Sequence, residues 1–225
     1  MSHPLDNIFW NCLSGPQAHF AQGVGTARRY AKGFSPILGF AQAEQPDFAA
    51  LAPYCDSGEQ FYCSGWSGEM PDGWRLQAET TMYRMVWDGK MPDEVQNFFP
   101  RALDASHAQQ AMALAVLTNP GPFGLRTLEL GDYLGCFEGE RLIAMAGERT
   151  NAEPYREVSG VCTHPEFQGR GLARRLMHTL IRRQLMRNEI PFLHVMCHNT
   201  SAHELYLRMG FRDYCKTPVR VIERL

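Results

Sequence analysis

Lysine is nearly missing from this 225-residue chain, whose 22 basic residues are 19 arginines plus Lys32, Lys90 and Lys216. Any excess of positive charge is missing too, because 24 Asp and Glu leave a formal net charge of −2. Dedicated nucleic-acid binders are ordinarily strongly basic, so that class is set aside. No apolar run nears the ~18–20 residues of a membrane span. The opening MSHPLDNIFWNCLSGPQ has no basic stretch leading into an apolar one, as a secretory signal would. Seven cysteines (Cys12, Cys55, Cys63, Cys136, Cys162, Cys197, Cys215) form no C-x-x-C pair, which argues against a disulfide framework and a zinc ribbon. The expectation is a soluble, cytoplasmic, globular protein long enough to bury a large core. The arginine excess reads as coding preference rather than chemistry.

Along the chain, residues 1–100 are rich in aromatics, glycine and proline and read as short elements. A short helix is expected at 46–54, and strands at 60–66 and 75–87, the latter ending at the turn signal Asp88-Gly89. Residues 88–104 read as a connection between lobes. A helix is expected at 105–118, stopped by Asn119-Pro120-Gly121-Pro122. Strands follow at 125–130, 133–138, 141–150 and 155–163, with a hairpin around Glu138-Gly139-Glu140. Leu172, Leu176, Met177, Leu180, Ile181 and Leu185 recur at helical spacing and predict a helix over 171–188. A strand at 192–197, a short helix at 201–209 and a strand at 211–224 complete the pattern, with Pro218 near an edge or bulge. This order indicates a mixed sheet carrying helices, an α/β fold.

The chemistry is concentrated in 155–211. There a strand and a Pro turn lead into the loop Gln168-Gly169-Arg170-Gly171, which opens onto the expected helix. Glycines allow close backbone approach, and the unpaired N–H groups of a helix start attract anions, so a phosphate or pyrophosphate cradle is the physical expectation. It is not a G-x-x-x-x-G-K-[ST] loop, and Arg174 stands where a dinucleotide fingerprint needs its third glycine. What remains is Gln168-x-x-Gly171-x-Ala173. Gln22-x-x-Gly25-x-Ala27 matches as literally, but no strand precedes it and Pro36 blocks a long helix after it. Downstream come Asn199, Ala202, Leu205-Tyr206 and Gly210-Phe211.

This pair of motifs resembles the GCN5-related N-acetyltransferase (GNAT) superfamily, closest to its FR47-like branch, over roughly 105–225. The resemblance implies a mixed, splayed sheet flanked by helices and acetyl-CoA as acyl donor, with no metal. It places Val161, Cys162 and Thr163 along the pantetheine arm and Gln168, Gly169, Arg170, Gly171, Leu172 and Ala173 around the pyrophosphate. Asn199 falls near the pantetheine, and Tyr206 in the place of the general acid. Glu157, eleven residues before Gln168, resembles the position of a catalytic glutamate. It is read either as the base or as a structural or substrate-orienting carboxylate. Strict alternation puts Glu157, Ser159, Val161 and Thr163 on one face, and Val158, Gly160 and Cys162 on the other. Arg174 or Arg175, in the first helical turn, is the candidate for a CoA phosphate, and the remaining helix arginines read as a solvated face.

His194, Cys197, His198 and His203 are not read as a metal site, and Cys162 is read as an ordinary buried cysteine rather than a nucleophile. Residues 1–100 are expected to form an auxiliary α+β lobe, a degenerate or divergent half of the same fold that completes the acceptor cleft, with the acetyltransferase domain at 101–225. The implied activity is direct transfer of acetyl from acetyl-CoA to the amine of a small molecule, amino acid or peptide, by a monomer or homodimer. The alternatives are a longer acyl-CoA donor, or a CoA-binding module without turnover.

Overall fold

The computed structural model describes residues 3–225. In chain order it runs α1 (Ile8–Ser14), β1 (Ala21–Gln22), β2 (Ala27–Tyr30), β3 (Leu38–Phe40), α2 (Phe48–Leu51), β4 (Gln60–Ser64), β5 (Trp74–Trp87) and β6 (Arg101–Ala102). Then follow α3 (Ala108–Thr118), β7 (Tyr133–Glu138), β8 (Arg141–Ala152), β9 (Tyr155–Thr163), α4 (Leu172–Met186), β10 (Ile190–Met196), α5 (Thr200–Met209) and β11 (Phe211–Arg224). Strands β1–β3 form a small antiparallel sheet, and the other eight form one mixed sheet in the order β4-β11-β5-β10-β9-β8-β7-β6. Its single parallel pair is β9 with β10; every other neighbouring pair is antiparallel.

The apolar stripe of α4 does what its spacing requires. Leu176, Met177, Leu180 and Ile181 are fully buried against Leu134, Ala144, Ala146 and Val158 of the sheet. At ~1.5–3 kcal/mol for each large side chain removed from water, this stripe is the main force seating the helix. The opposite face of the same strands packs Met145, Tyr133 and Cys162 against Ala111, Leu114 and Ala115 of α3. Both faces of β8 are therefore covered, which is why it is buried almost without interruption.

The boundary expected near residue 100 falls inside this large sheet. β4 and β5 come from the first hundred residues, and β5 lies between β10 and β11, paired with β11 along nearly its whole length and with β10 over Met82–Val86. The strands of that segment are thus divided between both sheets, and among the described residues it holds no second strand–loop–helix of the phosphate-cradle kind. Gln22 and Ala27 of the decoy motif lie on the two strands of the β1–β2 hairpin. Helix α1 and the small sheet cover the other half of the large sheet, where Ile8, Phe9, Leu13, Tyr30 and Ile37 pack on Met82, Val86, Phe192 and Val219.

One expected strand is absent. Residues 125–130 contain a 3-10 turn, Thr127–Leu130, instead. The Thr127 hydroxyl accepts from Gly124 N at 2.9 Å, Thr127 N donates to Gly124 O at 3.0 Å, and Arg126 pairs with Glu129 across three residues. Local side-chain bonds thus outcompete a ladder that apolar alternation alone suggested. Pro218 sits where β4 stops flanking β11, since that pairing begins at Val219. The Pro218 carbonyl still accepts from Gly65 N at 3.0 Å, so the proline marks the end of the β4 ladder rather than an open edge.

Candidate active site

Two β-bulges on the β8–β9 pair build the site. In the first, Met145 faces Cys162 and Gly147 faces Ser159, so three steps on β9 match two on β8. The extra residue is absorbed at Gly160, whose φ of +62° an L side chain resists and whose added Cβ would lie 3.1 Å from the Tyr133 ring. The bulge also breaks the strict alternation expected for β9. Val158 and Val161 both join the α4 side, whereas Cys162 packs with α3. Glu157 therefore does not share a face with Val161 and Thr163 by simple parity.

In the second bulge, Glu148 faces Val158 and Asn151 faces Arg156, leaving both Arg149 and Thr150 opposite Glu157. Arg149 grips the carboxylate in a fork, Nη2 to Oε1 at 2.6 Å and Nε to Oε2 at 3.0 Å. Thr150 donates to Oε2 from its backbone N at 3.2 Å and from its hydroxyl. His194 supplies a fifth donor, Nδ1 to Oε1 at 2.8 Å, because its Nε2 accepts from Arg84 Nε at 3.0 Å. Burial alone would raise the Glu157 carboxyl, but Arg149 and His194 outweigh it and hold it well below the usual carboxylate range. Desolvation pushes His194 down to about 4 against the pull of Glu157, so its ring is neutral near pH 7. A carboxylate this acidic, with every lone pair engaged, is a poor proton acceptor. The geometry favours the structural reading of Glu157 over the base.

Beyond Glu157 the parallel pair parts. β9 and β10 are paired only through Tyr155–Ile190, Arg156–Pro191 and Glu157–Phe192. From there β10 stays with β5 as far as Met196, while β9 stays with β8 as far as Thr163. A gap opens between them, and two cavities meet in it.

The first cavity, of about 580 Å³, is lined by Val161, Cys162, Thr163, Gln168, Gly169, Gly171, Leu172, Ala173 and Arg174, with Leu205 and Tyr206 opposite. Its floor is the start of α4. The first i→i−4 bond there is Arg175 N to Gly171 O at 3.1 Å, and no side chain caps the helix. The amides of Leu172, Ala173 and Arg174 thus lack an intrahelical partner. Gly169 and Gly171 have φ of +76° and +72°, and a Cβ on either would meet no protein atom within 4 Å. The buried Thr163 hydroxyl has no protein partner. Free amides, space above two glycines and an unpartnered hydroxyl fit a CoA pyrophosphate and its pantetheine arm. Arg174 faces this cleft, but Arg175 reaches Asn97 O at 3.1 Å and lies 4.3 Å over the Phe98 ring. Arg175 fastens the 88–104 connection, as does Arg182 through Pro92 O.

The second cavity, of about 410 Å³, lies on the other side of the gap and also contains Val161 and Tyr206. Its wall mixes the two halves of the chain: Phe9, Tyr62, Thr80 and Met82 from the first hundred residues, and Ser159, Val195 and Val219 from the rest. Asn199 lines this second cavity rather than the first, and its side-chain oxygen caps α5 by accepting from Ala202 N at 3.2 Å. Burial pushes the Tyr206 hydroxyl up to about 12 and the Cys162 thiol to about 11, so both hold their protons near pH 7. The candidate metal cluster disperses: His194 pairs with Glu157, while His203 pairs with Asp213 at 2.8 Å and stacks on Tyr83. Among the described residues no three His, Cys, Asp or Glu converge, and no helix is long and apolar enough to cross a membrane. Arg149, Arg84 and the amino-terminal cavity wall carried no local sequence signal.

Sheet order, the parting parallel pair and the uncapped glycine loop define an α/β fold of the GNAT acetyltransferase type. Residues 133–221 match the family model described as FR47-like protein. A crystal structure from Novosphingobium aromaticivorans DSM 12444, assigned to the GNAT family of acetyltransferases, is 32% identical over 100% of both chains, with a TM-score of 0.89. The chain belongs to the GNAT family, on its FR47-like branch. Two further proteins share the fold at low identity. A GCN5-related N-acetyltransferase-like protein from Streptococcus suis 89/1591 has 16% identity, coverage of 96% of this chain and 92% of its own, and a TM-score of 0.60. A GCN5-related N-acetyltransferase from Kribbella flavida has 14% identity, 95% coverage of each chain and a TM-score of 0.59. No curated protein matches the sequence.

Proposed function

We propose that this protein is an acetyl-CoA-dependent N-acetyltransferase that transfers the acetyl group directly to an amine. The observation that carries the reading is the shared wall of the two cavities. Val161 and Tyr206 line both, so a thioester and an amine entering from opposite sides would meet beside the tyrosine. The amides of Leu172, Ala173 and Arg174, with the Arg174 side chain, would hold the pyrophosphate, and Thr163 would hold the pantetheine arm. Acetyl-CoA supplies the activated thioester.

Tyr206 keeps its proton across the physiological range and can donate it toward the departing sulfur. A free thiol titrates near ~8.5, so complete transfer from a phenol at about 12 is uphill by roughly 5 kcal/mol. Tyr206 therefore acts chiefly by hydrogen-bonding the sulfur as charge develops, with the proton released by the amine completing the exchange. Cys162, held as a thiol and packed against α3, takes no covalent part.

Thiol release from acetyl-CoA with an amine acceptor, compared between wild type and Tyr206→Phe, tests the reading. The expected result is kcat lowered about 10²-fold or more with acetyl-CoA affinity unchanged by calorimetry. Failure of the wild type to bind acetyl-CoA overturns the function. Unchanged turnover in the variant overturns the role of Tyr206 alone.

A further inference from the structure

The second cavity also restricts what the acceptor can be. Phe9, Tyr62, Met82, Val195 and Val219 supply much of its apolar lining. Among the described residues, the only carboxylate lining it is Glu157. That group already receives Arg149 Nε and Nη2, Thr150 N and Oγ1, and His194 Nδ1. A carboxylate offers about four lone-pair sites, so five donors leave none for an incoming ammonium. Arg149 is neutralised by the same pair, and both ring nitrogens of His194 are engaged. The lining thus offers no unpaired negative charge. Its remaining polar groups include the hydroxyls of Ser64, Thr80 and Ser159, the amides of Asn119 and Asn199, and the imidazole of His198.

Resting on the acetyltransferase reading, we infer that the acceptor is an apolar monoamine, an arylalkyl or alkyl amine whose single nitrogen enters as the free base and whose other polar groups are neutral. An ammonium buried here loses its hydration and gains no counter-charge, which favours loss of the proton. A monoamine meets that condition by deprotonating once, and the freed lone pair is the one that attacks the thioester. The C–N bond forms as the C–S bond breaks, and the amine's second proton leaves with the thiol. Spermidine would bring further charges that the wall cannot pair. The hydroxyls suit one neutral donor or acceptor on the substrate, such as a phenol.

The test uses the full chain with acetyl-CoA and the probes phenethylamine, tyramine, spermidine and glycine. Thiol release should give kcat/KM for phenethylamine and tyramine at least 100-fold above that for spermidine and glycine, rising with pH toward the amine's own pKa. Equal or better turnover of spermidine or glycine overturns the inference. Calorimetric binding of each amine to the CoA-saturated protein separates this from the activity itself. Phenethylamine binding without thiol release sinks the catalytic reading and leaves the pocket preference standing; spermidine binding more tightly sinks the preference.

Thr80→Asp places an unpaired carboxylate in the wall, and Ser64→Asp does the same at the end of β4 should the first variant fold poorly. Either should raise kcat/KM for the diamine cadaverine at least 10-fold while lowering that for phenethylamine. A folded variant with unchanged preference refutes the charge argument.

Discussion

Replacing Glu157 with glutamine separates a catalytic base from a structural carboxylate, because the two roles predict opposite consequences. In the structure Oε1 receives Arg149 Nη2 and His194 Nδ1, and Oε2 receives Arg149 Nε with both donors of Thr150. A glutamine amide must present its NH₂ to one of these sets, and either orientation turns a donor toward N–H groups that need an acceptor. The His194 ring cannot relieve the conflict by changing tautomer, since its Nε2 is held by Arg84 Nε. Arg149, 8% exposed, is left as a buried cation without its counter-ion. Breaking a buried pair from one side costs ~3–5 kcal/mol. For a domain of this size that corresponds to a fall in Tm of roughly 6–20 °C.

Urea titration and thermal melting should show that loss, and Arg149→Met added to Glu157→Gln should recover part of it by removing the stranded charge. Activity should fall only as far as the folded fraction and the cavity shape fall, with the acid limb of kcat/KM retained. That limb belongs to the amine, not to a carboxylate held far below its usual range. The reasoning is refuted if Glu157→Gln melts like wild type while kcat drops 10²-fold or more and the acid limb disappears, the behaviour of a general base.

Other positions give independent checks. Gly171→Ala should cost ~1–2 kcal/mol for a left-handed residue, since the added Cβ meets no protein atom. Because that space belongs to the cleft, calorimetry should show acetyl-CoA affinity lowered at least 10-fold. Arg174→Ala should weaken CoA binding several-fold in a salt-dependent manner, while Arg175→Ala, which loses only its hold on Asn97 and Phe98, should bind CoA as wild type does. His194 titrates at about 4 when folded and near ~6.5 when unfolded, so between these values the unfolded chain binds the extra proton. Stability is therefore retained above pH 6.5 and declines by roughly 3 kcal/mol as pH falls to 4. His194→Gln should flatten that decline in denaturation curves taken at successive pH values.

What the chain reveals to a reader and what it withholds follow from the range of the forces involved. The boundaries of β7, β9 and β11, the stripe of α4 and the glycine loop depend on periods of two and 3.6 and on turn residues within a few positions, and all are legible. The 3-10 turn at Thr127–Leu130 escaped because Thr127 and Arg126 bond locally in ways that apolar alternation does not encode. Side-chain parity along β9 escaped because one residue, Gly160, absorbs a bulge and exchanges the faces beyond it. β5 was recognisable as a strand, but nothing near it says that it lies between β10 and β11, more than a hundred residues away. That insertion bears most on function. The loop and Tyr206, carried by local motifs, line the first cavity, whereas the opposing cavity takes Thr80 and Met82 from β5 and Tyr62 from β4. On the proposed reading, a motif confined to the last 120 residues points to the donor chemistry, whereas the acceptor preference would reside in side chains that only the assembled sheet brings together. Substitutions in β5 should therefore change which amine is used before they change how acetyl-CoA is held.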